Sequence, residues 1–71
     1  MLVNNIFVFR PYADADRIYP IWSEDSTHYI STDIKIPKRV VDTGKSWHRN
    51  YYFSSRQKEN AFIEKYYENR E

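Results

Sequence analysis

The chain has 71 residues, no cysteine and a formal net charge of +1, with 41% hydrophobic and 18% aromatic side chains. A domain this small buries only about 60% of the surface its unfolded chain exposes, and the lack of cysteine excludes disulfides and thiolate metal sites as supplementary staples. The aromatic rings, which bury the most area per residue, are therefore expected to form the core.

Residues 2–9 hold Val3, Ile6, Phe7, Val8 and Phe9, a β-branched and aromatic run closed by Arg10-Pro11. Apolar side chains at both odd and even positions predict a central strand buried on two faces. The same segment is not read as a signal peptide, because Asn4 and Asn5 interrupt it and no cation precedes Arg10. Its longest apolar run, residues 6–9, falls far short of the ~20 residues that span a bilayer. A soluble cytoplasmic protein with no membrane partner is expected. Residues 11–20 read as a loop, since Pro20 forbids extending a helical turn begun near Asp14. They lead into a short strand over residues 18–22.

"SEDST", residues 23–27, reads as a polar turn. Over residues 28–36 apolar and polar side chains alternate, which predicts one half-buried strand with Ile30, Ile34 and Ile36 toward the core. Pro37 lacks an N–H, so a continuation through Val40 and Val41 is expected after a kink or on a sheet edge. Gly44, the one glycine, sits in "DTGK", and the sequence predicts a β-hairpin over residues 39–53 turning there. In that hairpin Trp47, Tyr51 and Phe53 face the core, while His48, Asn50 and Tyr52 point outward. Ser54 followed by Gln57 is a capping-box pattern that predicts a helix over residues 55–69, with Phe62, Ile63, Tyr66 and Tyr67 along its buried stripe. The whole is one α+β domain: a small antiparallel sheet of three or four strands packed by one C-terminal helix.

The near-neutral total conceals a segregation of charge. Residues 1–34 carry Arg10 and Arg17 against Asp14, Asp16, Glu24, Asp25 and Asp33, a net of −3. Residues 35–58 carry Lys35, Lys38, Arg39, Lys45, Arg49, Arg56 and Lys58 against Asp42 alone, a net of +6, and residues 59–71 return to −2. Such asymmetry bears on partners rather than on fold. Lys38, Arg39, Lys45, His48, Arg49, Tyr52 and Arg56 are the candidate partner-binding residues.

Other chemistries find less in the sequence. Gly44-Lys45-Ser46 copies the end of a phosphate-binding loop, but Arg39 stands where that loop needs its first glycine. Asp14, Asp16, Glu24 and Asp25 lack the spacing of a calcium loop, and His28 and His48 have no neighbouring zinc ligands. Ser23, Asp25 and His28 supply the residue types of a hydrolytic triad without the glycine-rich backbone or volume of an oxyanion hole and cleft. No catalytic residue, metal or other cofactor is expected.

The stretch "NYYFSSRQKENAFIEKYY" resembles the strand, serine cap and helix that close many very small bacteriophage-encoded proteins. The composition agrees with an AT-rich coding sequence, because Phe, Tyr, Met, Ile, Asn and Lys fill 29 of 71 positions against four for Gly and Ala. That resemblance implies a non-enzymatic accessory protein that binds and inhibits a bacterial host protein in the host cytoplasm, such as one that handles nucleic acid. The alternative is direct RNA or DNA binding by the basic aromatic hairpin, residues 35–58, through phosphate contacts and base stacking. A small enzyme is a third reading. A homodimer is a further expectation, through an edge at Pro37 and Val40 or through exposed tyrosines.

Overall fold

The fold is taken from a computed structural model that describes residues 4–12 and 17–69, with the side chain of Glu24 excluded. Three strands make the first sheet. Strand β1 (Asn4–Phe9) lies in the middle, flanked by β2 (Arg17–Ile21) and β6 (Tyr51–Phe53), and both pairings are antiparallel. The central placement of β1 matches the pattern of its sequence. Ile6 and Val8 point to one face, where they join Tyr19, Ile21 and Tyr52 in a cluster completed by Ile36, Val40 and Val41. On the other face the register sets Phe7 opposite Phe53 and Phe9 opposite Tyr51, and helix α1 (Arg56–Glu68) covers them.

The helix face is aromatic throughout. Phe9 has Phe62, Tyr66 and Tyr67 at ring-centroid distances of 6.0, 5.3 and 6.1 Å, all edge-on, and Phe62 lies 4.7 Å from Tyr51 and 5.2 Å from Phe53. Each such pair contributes about 0.5–1.5 kcal/mol beyond its buried area, which matters in a domain with so small a core. Glu59 on the same helix is fully buried, and its Oε1 accepts from Arg56 Nη1 at 2.7 Å while the Arg56 guanidinium lies 4.7 Å from the Phe7 ring centre. The expected stripe is therefore right for Phe62, Ile63 and Tyr66 and omits Glu59. Tyr67 stays 56% exposed. The helix cap is Ser55, whose hydroxyl accepts from Lys58 N at 3.2 Å, one residue later than the capping-box pattern predicts. Ser54 is diverted because its hydroxyl and its N–H both donate to the Asp42 carboxylate.

Two expected elements take a different form. The single strand over residues 28–36 is a hairpin, β4 (His28–Ile30) with β5 (Lys35–Pro37), to which β3 (Ser23–Glu24) adds a third antiparallel strand. Ser31 causes the reversal: its hydroxyl accepts from the N–H groups of Asp33 and Ile34 and donates to the Ile34 carbonyl at 3.0 Å, a serine-based turn that competes with a continuing strand.

The predicted hairpin over residues 39–53 is likewise absent. Pro37 ends β5 and opens a 3-10 turn, Lys38–Val40, after which Val41 makes an isolated parallel bridge to Tyr52. Val40 is buried in that turn, so of the two residues named for a homodimer edge only Pro37 lies on an edge strand, β5. In the same loop Trp47 packs on Tyr52 at 5.6 Å within the first core cluster, not beneath the helix.

Phe9 meets three rings of the helix, so its loss weakens the sheet's hold on α1, which Tyr51 and Phe53 then carry through Phe62. Phe9→Ala is expected to cost about 3–5 kcal/mol. Urea unfolding followed by circular dichroism checks this; an unchanged midpoint would show that the aromatic face does not carry the stability assigned to it.

Candidate basic binding surface

The cations of residues 35–58 do not form one patch. Lys38 and Arg39 sit on the 3-10 turn, which the bond from Lys38 N to the Thr27 carbonyl, 2.9 Å, ties to the β3–β4 loop. With Thr27, His28 and Pro37 they line a mostly apolar concavity of about 540 Å³. Arg39 is exposed, and the Lys38 ammonium lies 5.5 Å from the centre of the Tyr29 ring. Lys45 is exposed further along, beyond Gly44, which takes φ 73° and would bring a Cβ to 3.7 Å from Phe62.

His48 and Arg49 form a separate group. They occupy the two-residue turn between Trp47 and Asn50, are both exposed, and share a cleft of about 210 Å³ with Arg10, Tyr12 and Asn50. Arg10 and Tyr12 lie outside the basic segment and escape a reading by charge along the chain. The β1–β6 register reveals them, because pairing Phe9 with Tyr51 brings the end of β1 beside the start of β6.

Of the expected site residues, Tyr52 is buried in the fold and Arg56, still exposed, is also engaged with it. Tyr52 is 1% exposed, on the Ile6–Val8 face of the sheet, because its neighbours Tyr51 and Phe53 take the helix face and strand side chains alternate. Its hydroxyl accepts from Asn50 Nδ2 at 3.2 Å, and burial pushes its phenol above the ordinary 10.0 despite that bond and the nearby Arg10 cation. Arg56 holds the buried Glu59 and covers Phe7.

The acids act locally. Asp25 Oδ1 accepts from the N–H groups of Thr27 and His28, and these bonds, the one from Thr27 foremost, with the nearby His28 ring and Lys35 ammonium keep this carboxyl below its ordinary value against desolvation. The His28 ring meets Thr27 Oγ1 at 2.7 Å and Asp25 at 3.6 Å, whereas Ser23 pairs with Ile30, so the residues considered for a triad close a loop. Asp14 and Asp16 lie outside the described residues. Among those described, no group of three or more His, Cys, Asp or Glu side chains is placed to hold a metal ion, and no helix is long and apolar enough to cross a membrane. Comparison with protein-family models, curated proteins and solved structures found no match.

Asp42 fastens the loop to the helix. Partial burial pushes its carboxyl up, but donation from Ser54 N, Ser54 Oγ and Lys58 Nζ, at 2.9, 2.7 and 3.2 Å, outweighs that and leaves it below 3.8. A depressed folded-state pKa contributes stability that is present above about pH 4 and lost as pH falls through the lower folded value. Asp42→Asn removes the charge and one of the two acceptor oxygens while keeping the backbone, since asparagine also tolerates the left-handed φ of 64° found there. The variant is expected to be less stable at pH 7 and to lose less stability on acidification than the wild type. Parallel acid-limb slopes of urea midpoints against pH would refute the link.

Proposed function

We propose that the protein works by binding rather than by catalysis, as a small phage-type accessory factor that occupies and inhibits an acidic face of a bacterial host protein. The observation that carries this reading is the division of labour within residues 35–58: the rings turn inward and the cations outward. Tyr52 and Phe53 are buried, Tyr51 lies under Phe62, and Trp47 packs on Tyr52, while Arg39, Lys45 and Arg49 are exposed. Stacking unpaired bases on this segment needs exposed rings. Meeting an acidic protein surface needs only the outward charge, with arginine as an anchor. The concavity beside Lys38 and Arg39, apolar within and cationic at its rim, has the layout of an interface core and rim.

Capture from a bacterial lysate, with and without nuclease, tests the reading. One host protein is expected in equal yield in both arms, with loss when Arg39→Glu reverses the charge at the rim. Nuclease-sensitive capture, or retention by Arg39→Glu, would count against it, and the first outcome would favour direct nucleic-acid binding.

A further inference from the structure

The turn carrying His48 and Arg49 is closed at both ends, with Trp47 N donating to the Asn50 carbonyl at 2.8 Å and Asn50 N donating back at 3.0 Å. Its two central residues have φ of 51° and 67°. Positive φ at both positions is the signature of a type I′ turn, where Asn-Gly is preferred because the left-handed region crowds a Cβ. A histidine followed by an arginine is a poor choice there on backbone grounds. Strain of this kind persists where surrounding structure enforces it and clusters at binding sites.

Neither side chain is needed by the core. The His48 ring stands edge-on to Trp47 at 4.4 Å and remains exposed, as does Arg49. What the two residues have in common is the cleft with Arg10, Tyr12 and Asn50. Among the described residues, two guanidinium groups, an imidazole and a carboxamide line it, and no carboxylate does. Asn50 is held in place through its bond to the Tyr52 hydroxyl, and Tyr12, at 72% exposed, stands beside the cations as an open ring.

We propose that this cleft binds a nucleotide, with the phosphoryl group between Arg10 and Arg49 and the base against the ring of Tyr12. Guanidinium forks match the geometry of phosphate oxygens, and an exposed tyrosine is a stacking surface for any base. The volume of about 210 Å³ is below the roughly 300 Å³ at which pockets for drug-sized ligands begin, so the cleft encloses the phosphate and leaves the base on its open side. A free nucleotide and one unit of a single strand present the same chemistry. The inference goes beyond the host-protein reading, using other residues than the Lys38–Arg39 concavity and another ligand, so either can fail alone.

Titration followed by the backbone amide NMR resonances of residues 12 and 48–50, which every variant retains, at fixed ionic strength, tests it. The probes are adenosine 5′-monophosphate, adenosine, inorganic phosphate and a 5′-phosphorylated octathymidylate. The monophosphate is expected to bind more tightly than either of its halves, and Tyr12→Ala to bring it down to the level of phosphate. Arg49→Ala should weaken it about tenfold. Octathymidylate binding tighter than the monophosphate assigns the site to a strand, and weaker binding assigns it to a free nucleotide. The double variant His48→Asn, Arg49→Gly separates binding from folding: it should melt no lower than the wild type, and up to roughly 4–8 °C higher, yet lose the monophosphate. Undiminished binding by that variant, or a monophosphate bound no better than phosphate, overturns the proposal.

Discussion

The double-sided burial of β1 is the constraint from which the rest of the structure follows. A strand that sends Ile6 and Val8 to one face and Phe7 and Phe9 to the other needs cover on both, and a chain of this length has few elements to provide it. The helix covers the aromatic face. The other face is closed by residues from the second sheet and the loop after it, Ile36, Val40 and Val41, with Trp47 half-buried at the margin. Neighbouring β6 repeats the same alternation in three residues, Tyr51 and Phe53 against Tyr52, so a single pair of strands commits almost every ring of the basic segment to the interior. The surface left over for recognition is then cationic by subtraction.

Where period and residue type agreed, the fold was legible in the sequence. Residues 4–9 alternate with apolar groups at both parities and form a central strand; Phe62, Ile63 and Tyr66 recur at helical spacing and form the packed stripe. The errors lie where short polar side chains redirect the backbone. Ser31 turns a nine-residue alternation into a hairpin, and Asp42 withdraws Ser54 from the helix cap that its spacing promises. Glu59 was missed because a carboxylate on a helix reads as solvated unless its partner is known, and Arg56, one turn earlier, binds it at 2.7 Å.

The candidate site was legible as charge and not as geometry. Arg39, Lys45, His48 and Arg49 are exposed and Lys38 is half-buried over Tyr29, but they belong to separate groups because the loop between the 3-10 turn and β6 is not a hairpin. Tyr52 does lie on the face opposite Tyr51 and Phe53, as strand alternation requires, but that face is core rather than solvent, closed by Ile36, Val40 and Val41. The positive φ values at His48 and Arg49 break the alternation between Trp47 and Tyr51, so Trp47 packs on the face of Tyr52 instead of beneath the helix. Arg10 and Tyr12 join the cleft through strand register, which no local pattern encodes.

The left-handed residues themselves have a topological cause. Val41 bridges Tyr52 in the parallel sense, and parallel neighbours cannot be joined by one tight reversal. Between those two residues the chain must leave the sheet, pass beneath Phe62 and come back in the direction it left. It does so with four positive φ angles, at Asp42, Gly44, His48 and Arg49. One of these is supplied by glycine and one by an aspartate whose carboxylate clamps the helix start, so the backbone cost is offset by a hydrogen-bonded function in the fold. The other two carry an exposed imidazole, which stands edge-on to Trp47, and an exposed guanidinium, and that difference within one loop separates the residues that hold the crossover together from those that face outward for a ligand.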